Sequence, residues 1–201
     1  MNHRIEKLIR QARYHEPRIA LVSMWDVENN AVRILAATLR AAGHTVIEIY
    51  FKDWISNDLE AASEEQLATL AKIVRREELN LVCLSIRASA YANQAKIITQ
   101  YLHNELEIAV LWGGMHPTMM GEDCISEADM LMRGEGEYAL LEFMNSLKMG
   151  KQEEVLDSQN LWFKTTDGTI KKNALRPLIQ NLDDLEFRDY TTDSQKYFIY
   201  G

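Results

Sequence analysis

Arg18-Ile19-Ala20-Leu21-Val22-Ser23-Met24, a helical stretch over 29–42, and then Thr45-Val46-Ile47-Glu48-Ile49-Tyr50-Phe51 form the segment whose reading decides the fold. Two apolar, β-prone runs flank a segment in which Val32, Leu35, Ala36 and Leu39 recur at helical spacing. The helical segment stops at Gly43, a residue suited to the left-handed position past a helix end. The flanking runs are almost continuously apolar, as strands covered on both faces are. This is a strand–helix–strand unit with parallel strands.

The alternation continues outward. Further strands are expected over 79–87, 108–112 and 129–133. Ser63-Glu64-Glu65-Gln66 is a capping box ahead of Leu67, Leu70, Ala71 and Val74. Helices are also expected over 91–102 and 137–147, with a short one near 119–126. Residues 1–15 make a short amphipathic helix with Ile5, Leu8 and Ile9 on one side. The fold class is therefore α/β: a doubly wound, five-stranded parallel sheet, flavodoxin-like, in the order 2-1-3-4-5. After Gly150 the pattern changes. Residues 161–166 and 169–172 flank Asp167-Gly168, a hairpin signal. An extended connector over 173–189 and an aromatic, β-prone run over 190–201 follow. The chain divides into a Rossmann-like domain over 1–150, with its N-terminal helix over 1–16, and a hairpin with linker over 151–201.

Composition narrows the function. The 201 residues are 47% hydrophobic, enough for a sizeable core, and carry a net charge of −8. That balance argues against a general nucleic-acid binder. The two cysteines, Cys83 and Cys124, are far apart and make no Cys-x-x-Cys or iron–sulfur spacing. No apolar stretch is long enough to span a membrane, and the first residues lack the apolar core of a signal peptide. A cytoplasmic protein is expected.

Ligands of doubly wound sheets bind beyond the carboxyl ends of the strands, so the loops there hold the candidate site. They are Trp25-Asp26-Val27-Glu28-Asn29-Asn30-Ala31, Ser85-Ile86-Arg87-Ala88-Ser89, Trp112-Gly113-Gly114-Met115-His116-Pro117-Thr118 and Arg133-Gly134-Glu135-Gly136-Glu137. The paired glycines lack Cβ atoms and leave room for a close approach to the sheet edge. Bland readings stand beside these. The glycine pair also suits a simple turn, and His116 a loop cap. Asp26, Glu28, Glu135 and Glu137 suit helix N-termini as acids favoured by the dipole. Ser85 and Arg87 suit ordinary strand ends, and the histidines outside this set suit solvated positions.

Taken in order, these loops resemble the cobalamin-binding domain at the N-terminus of cobalamin-dependent radical S-adenosylmethionine enzymes. The methionine synthase and mutase type carries Asp-x-His-x-x-Gly, Ser-x-Leu and Gly-Gly. This chain has Asp26-Val27-Glu28-Asn29-Asn30-Ala31, Ser85-Ile86-Arg87 and Gly113-Gly114. Residues 113–118, 133–137 and 176–185 resemble the radical enzymes more closely, and the resemblance spans roughly 18–189. It implies cobalamin as the cofactor, with Glu28 standing where the cobalt-ligating histidine would be. No histidine ligation from this loop is therefore expected. Gly113 and Gly114 would make room for the nucleotide tail or corrin edge, and Ser85 would hydrogen-bond the dimethylbenzimidazole. Arg87, Arg133, Gly134, Glu135 and Gly136 would meet the amide side chains or the phosphate. Trp25, Ile86, Trp112 and His116 would pack or contact near the corrin.

The motif that holds a four-iron cluster is absent from these residues. The expected function is that of the cofactor module of a radical S-adenosylmethionine methyltransferase or related enzyme, its catalytic domain in the same or another chain. A stand-alone cobalamin carrier or sensor is the alternative. A receiver-type signalling domain would need an aspartate at the end of strand three, where Ser85-Ile86-Arg87 stands. A flavin binder would need a hydroxyl- and glycine-rich loop after strand one.

Overall fold

The computed structural model describes residues 2–52, 60–191 and 195–200. Met1 of the expected first helix, and residues 192–194 and Gly201 of the expected aromatic run, lie outside the described residues. Strands β1 (Arg18–Met24), β2 (Thr45–Phe51), β3 (Leu81–Ser85), β4 (Ala109–Gly113) and β5 (Met130–Met132) pair in parallel. Their order across the sheet is β2-β1-β3-β4-β5.

The sheet is wider than the five strands expected. Among the described residues it has eight, with β6 (Leu161–Lys164) and β7 (Ile170–Lys172) added beside β5, and β8 (Lys196–Ile199) beside β2. The hairpin joins antiparallel and β8 joins parallel. Edge chemistry explains the widening. A bare edge would leave a row of backbone N–H and C=O groups without partners. Leu161, Trp162 and Phe163 are buried, so β6 adds core as well as hydrogen bonds. On the other edge Glu48 of β2 is fully buried and must be paired. Its carboxylate meets Arg40 at 2.6 Å, the Tyr50 hydroxyl at 2.5 Å and Lys196 of β8 at 3.7 Å. Lys196 also reaches Asp189 at 3.0 Å, so charge pairing helps hold the last strand in place.

Helices cover both faces. On one lie α1 (His3–Ala12), α2 (Asn30–Ala41), α7 (Glu137–Lys148) and α8 (Gln152–Asp157), packed on Leu21, Cys83, Leu111 and Met132. On the other lie α3 (Glu64–Arg76) and α4 (Ala92–Leu106), against Ala20, Val22, Val82, Leu84 and Trp112. Neighbouring residues along a strand face opposite layers, so strand parity assigns each side chain to one core or the other. Ser63 and Gln66 form the expected capping box on α3. The short helix expected near 119–126 is two pieces, α5 (Met115–Met119) and α6 (Gly121–Cys124). Helix α8 was not anticipated.

Helix α1 is fastened to the sheet by a buried carboxylate. Asp129 accepts from the Asn2 amide at 2.5 Å, Arg4 at 2.9 Å, His103 at 2.8 Å and the Val110 N–H at 2.9 Å. Burial alone would raise its pKa. The His103 contact, the Val110 N–H and Arg4 outweigh burial and hold it below the ordinary value of 3.8. A depressed folded value stabilises the protein above the ordinary pKa, and the benefit is lost as pH falls through the lowered one. Asp129→Asn is expected to cost about 3 kcal/mol near neutral pH, because it breaks a buried charged cluster. Thermal unfolding across a pH series checks this: the gap between variant and wild type should close on the acid side.

Candidate functional site

The chain reverses direction across the sheet between β1 and β3, and a cleft of about 150 Å³ opens at the carboxyl ends there. Its walls are two helices. Ala31, Val32 and Leu35 come from α2, and Glu137 and Leu140 from α7. Its floor is the sheet, through Leu21, Cys83, Leu111 and Met132. Ser85, Gly113, Gly114 and the loop Gly134-Glu135-Gly136 border the opening. The cleft is apolar in depth and polar at the mouth, the usual character of a small-molecule site. Burial pushes the Cys83 thiol well above its ordinary pKa, so the floor carries no thiolate.

Each sequence-derived candidate can now be placed. Ser85, Gly113, Gly114, Gly134, Glu135 and Gly136 do border the cleft. Ser85 faces it because its position shares the parity of Cys83, and its hydroxyl accepts from Asn29 Nδ2 at 3.2 Å. Asn29 also caps α2, its carbonyl oxygen accepting from the Val32 N–H at 3.2 Å. The cap thus ties the wall helix to the end of β3.

Other candidates serve the scaffold. Trp25 is 1% exposed, stacks on Tyr91 with centroids 6.0 Å apart, and meets Phe51 edge-on. Trp112 is also buried, and its Nε1 donates to Thr99 at 2.8 Å. Ile86 is fully buried. All three belong to the α3–α4 core and do not line the cleft, because their side chains fall on the opposite side of the sheet. Asp26 and Arg87 pair with each other at 3.0 Å, and Asp26 also accepts from the Glu28 N–H at 3.0 Å. Glu28 itself is exposed on that loop.

Arg133 is likewise engaged internally. Its guanidinium donates to the Thr118 carbonyl at 2.8 Å and stacks 4.1 Å from the Trp162 ring centroid. His116 donates its backbone N–H to the Ile86 carbonyl at 3.0 Å, and its Nδ1 lies 3.0 Å from the Ser89 hydroxyl. Burial lowers the imidazole pKa, although Asp123 works in the other direction. Glu135 clasps the connector, its carboxylate accepting from the Ile179 N–H at 2.6 Å. Asn160 bridges the same two segments, donating to the Glu135 carbonyl and accepting from the Arg176 N–H.

The two glycines turn out to differ. Gly114 has φ +99°, and a Cβ there would sit 2.8 Å from the Ile86 carbonyl oxygen. Its glycine is therefore demanded by the protein's own backbone. A Cβ on Gly113 would meet only the Met132 carbonyl, at an ordinary 3.7 Å. Sequence reading also missed most of the apolar lining (Leu21, Val32, Leu35, Leu111 and Met132), because core and cleft positions share one periodicity. Their parity with Ser85 and Gly113 is the signal that would have found the floor.

A doubly wound sheet with an apolar cleft at its switch point defines a cofactor-binding domain. The chain belongs to the B12 binding domain family, whose model matches residues 19–144, and cobalamin is its cofactor. It is 28% identical over 156 residues to the anaerobic magnesium-protoporphyrin IX monomethyl ester cyclase of Rubrivivax gelatinosus, covering 76% of this chain and 27% of the cyclase. An uncharacterized methyltransferase of Pyrococcus horikoshii is 26% identical over 132 residues, covering 64% of this chain and 28% of that protein.

Among solved structures, the radical S-adenosylmethionine methyltransferase TsrM from Kitasatospora setae, with cobalamin and a 4Fe–4S cluster bound, superposes with a TM-score of 0.62. The match has 16% identity over 85% of this chain and 31% of TsrM. The cobalamin-dependent radical enzyme OxsB, with aqua-cobalamin and S-adenosylmethionine bound, gives 0.60 at 16% identity, over 81% of this chain and 23% of OxsB. At these identities the likeness is one of fold. The matched region spans under a third of each relative's length. Among the described residues no helix is long and apolar enough to cross a membrane.

The unequal glycines give a test. Gly114→Ala is expected to destabilise the ligand-free protein by about 2 kcal/mol or more, because its φ and ψ belong to a region open essentially to glycine. Gly113→Ala should leave the unfolding midpoint nearly unchanged. Thermal denaturation of both variants without added ligand checks the contrast.

Proposed function

We propose that this chain is the cobalamin module of a radical S-adenosylmethionine methyltransferase or related enzyme, presenting the cofactor to a catalytic domain in the same or another chain. The observation that carries the reading is the apolar cleft between α2 and α7. It opens at the carboxyl end of the sheet, is floored by the β1, β3, β4 and β5 side chains, and suits the slender nucleotide tail. The corrin would then rest over the strand ends, near Gly113 and the Asp26–Arg87 pair. Met115, Met119 and Met120 are exposed beside this end, a soft apolar surface for the corrin or for the partner domain. The radical methyltransferase character of TsrM supports the choice of chemistry. When bound, cobalamin supplies the methyl-carrying cobalt. This chain's residues hold and orient it and keep water from its tail.

Glu28 stands at the position of the histidine that ligates cobalt in the methionine synthase type, so this loop brings no imidazole to the metal. Ser85, Gly113, Gly134, Glu135 and Gly136 are the residues assigned to the cofactor, with Asp26, Glu28, Arg87 and His116 around the rim. Trp25, Ile86, Trp112 and the Arg133 side chain support these loops from within.

Protein reconstituted with hydroxocobalamin is expected to retain the corrin absorption through gel filtration. Ala31→Trp, an exposed position at the cleft mouth, should abolish retention while leaving the ligand-free unfolding midpoint in place. A colourless wild-type protein would overturn the reading. In the reduced cobalt(II) form, isotopic labelling of the histidine nitrogens should leave the electron paramagnetic resonance spectrum unaltered; an altered hyperfine pattern would show an imidazole on cobalt.

A further inference from the structure

The loop after β5 carries two glutamates that behave differently. Glu135 spends its carboxylate on the Ile179 N–H, 2.6 Å away. Glu137, at the first position of α7, lines the cleft, and its Oε2 is withdrawn from solvent without a hydrogen-bond partner among the described residues. A buried carboxylate oxygen left without a donor costs free energy, and native proteins rarely keep one without a use. The polar side chains nearby are already committed: Asn29 donates to Ser85, and Asn160 to the Glu135 carbonyl. The rest of the wall and floor is apolar apart from Ser85, whose hydroxyl accepts from Asn29 and makes no hydrogen bond to Glu137. The Oε2 of Glu137 is therefore open to a donor carried by whatever enters the cleft.

We propose that Glu137 is a specificity-determining residue whose carboxylate accepts an O–H or N–H donor carried on the nucleotide tail, so that the site selects complete cobamides over corrinoids without a tail. The proposal rests on the cobalamin reading above and adds which part of the ligand is read and by which atom. Two parts of a tail carry such a donor: the ribose hydroxyl, and the exocyclic amine of a purine lower base. The dimethylbenzimidazole of cobalamin has no N–H to give, so the two sources separate by choice of ligand. A carboxylate acceptor is worth about twice a neutral one, and losing it leaves the donor unpaired in an apolar cleft.

The test measures dissociation constants by equilibrium dialysis for wild type, Glu137→Gln and Glu137→Ala. The ligands are hydroxocobalamin, the adenine-based cobamide and cobinamide, which has no nucleotide. Glu137→Ala is expected to bind a tailed cobamide about ten-fold or more weaker, and Glu137→Gln, which keeps a neutral acceptor, weaker by a smaller factor, with cobinamide affinity unchanged in both. Equal losses for both tailed ligands assign the donor to the ribose; a loss confined to the adenine form assigns it to the base amine. Equal weakening of all three ligands, or no weakening of any, overturns the proposal. Thermal unfolding without ligand separates a folding role, since Glu137→Gln should keep the wild-type midpoint. If wild type binds none of the three, the cobalamin reading fails first, and that outcome is distinct from a wild type that binds while Glu137 is silent.

Discussion

The carboxyl end of this sheet is organised by one backbone crossing. Where β4 ends, Gly114 passes so close to Ile86 that no side chain fits between them. That approach lets the Ile86 N–H donate to the Gly113 carbonyl at 2.8 Å and the Ile86 carbonyl accept from His116 at 3.0 Å. From this anchor Thr118 reaches back to the Gly114 carbonyl at 2.8 Å and accepts from the Gly134 N–H at 2.9 Å. Three successive strand-end loops are thus tied into one rim. The cleft keeps its shape because these loops brace one another, and a preorganised rim loses less entropy when a ligand arrives.

Legibility in the sequence followed the physics of burial. Strands β1 and β2 are found at the expected bounds because both faces of each are covered and their residues are mostly apolar. Strand β8 was not legible as part of the sheet. Its pairing to β2 is accompanied by Lys196 meeting the buried Glu48, which lies far from it in the chain, while nearby Asp189 holds the same lysine. The hairpin was visible through Asp167-Gly168, whereas its attachment to β5 depends on Trp162 and Phe163 matching an edge that no local pattern names.

The site divided in the same way. The glycines and Ser85 border the cleft because the loops at the carboxyl ends of the strands, where the fold class already directs attention, are the loops that carry them. Aromatic residues look like platforms at strand ends, yet parity assigns Trp112 to the α3–α4 core, and Trp25, just past β1 with φ +54°, turns into the same core. Charged residues carried relations of another kind. Asp26 and Arg87 satisfy each other, and Arg133 satisfies Thr118, relations that a linear chain does not display. Glu137 had the ordinary appearance of a first-turn acid, and only its lack of a partner sets it apart.

The match to the family model ends at residue 144, yet the sheet does not. Beyond that point the chain seals β5 with a hairpin, runs a connector past the cleft through the Glu135–Ile179 contact, and closes β2 with β8. A domain transplanted into another protein at the family boundary would carry two adhesive edges and a Glu48–Arg40 pair stripped of Lys196 and Asp189. The portable unit is therefore longer than the recognisable one, and the segment that looks like a tether is also the protein's insulation.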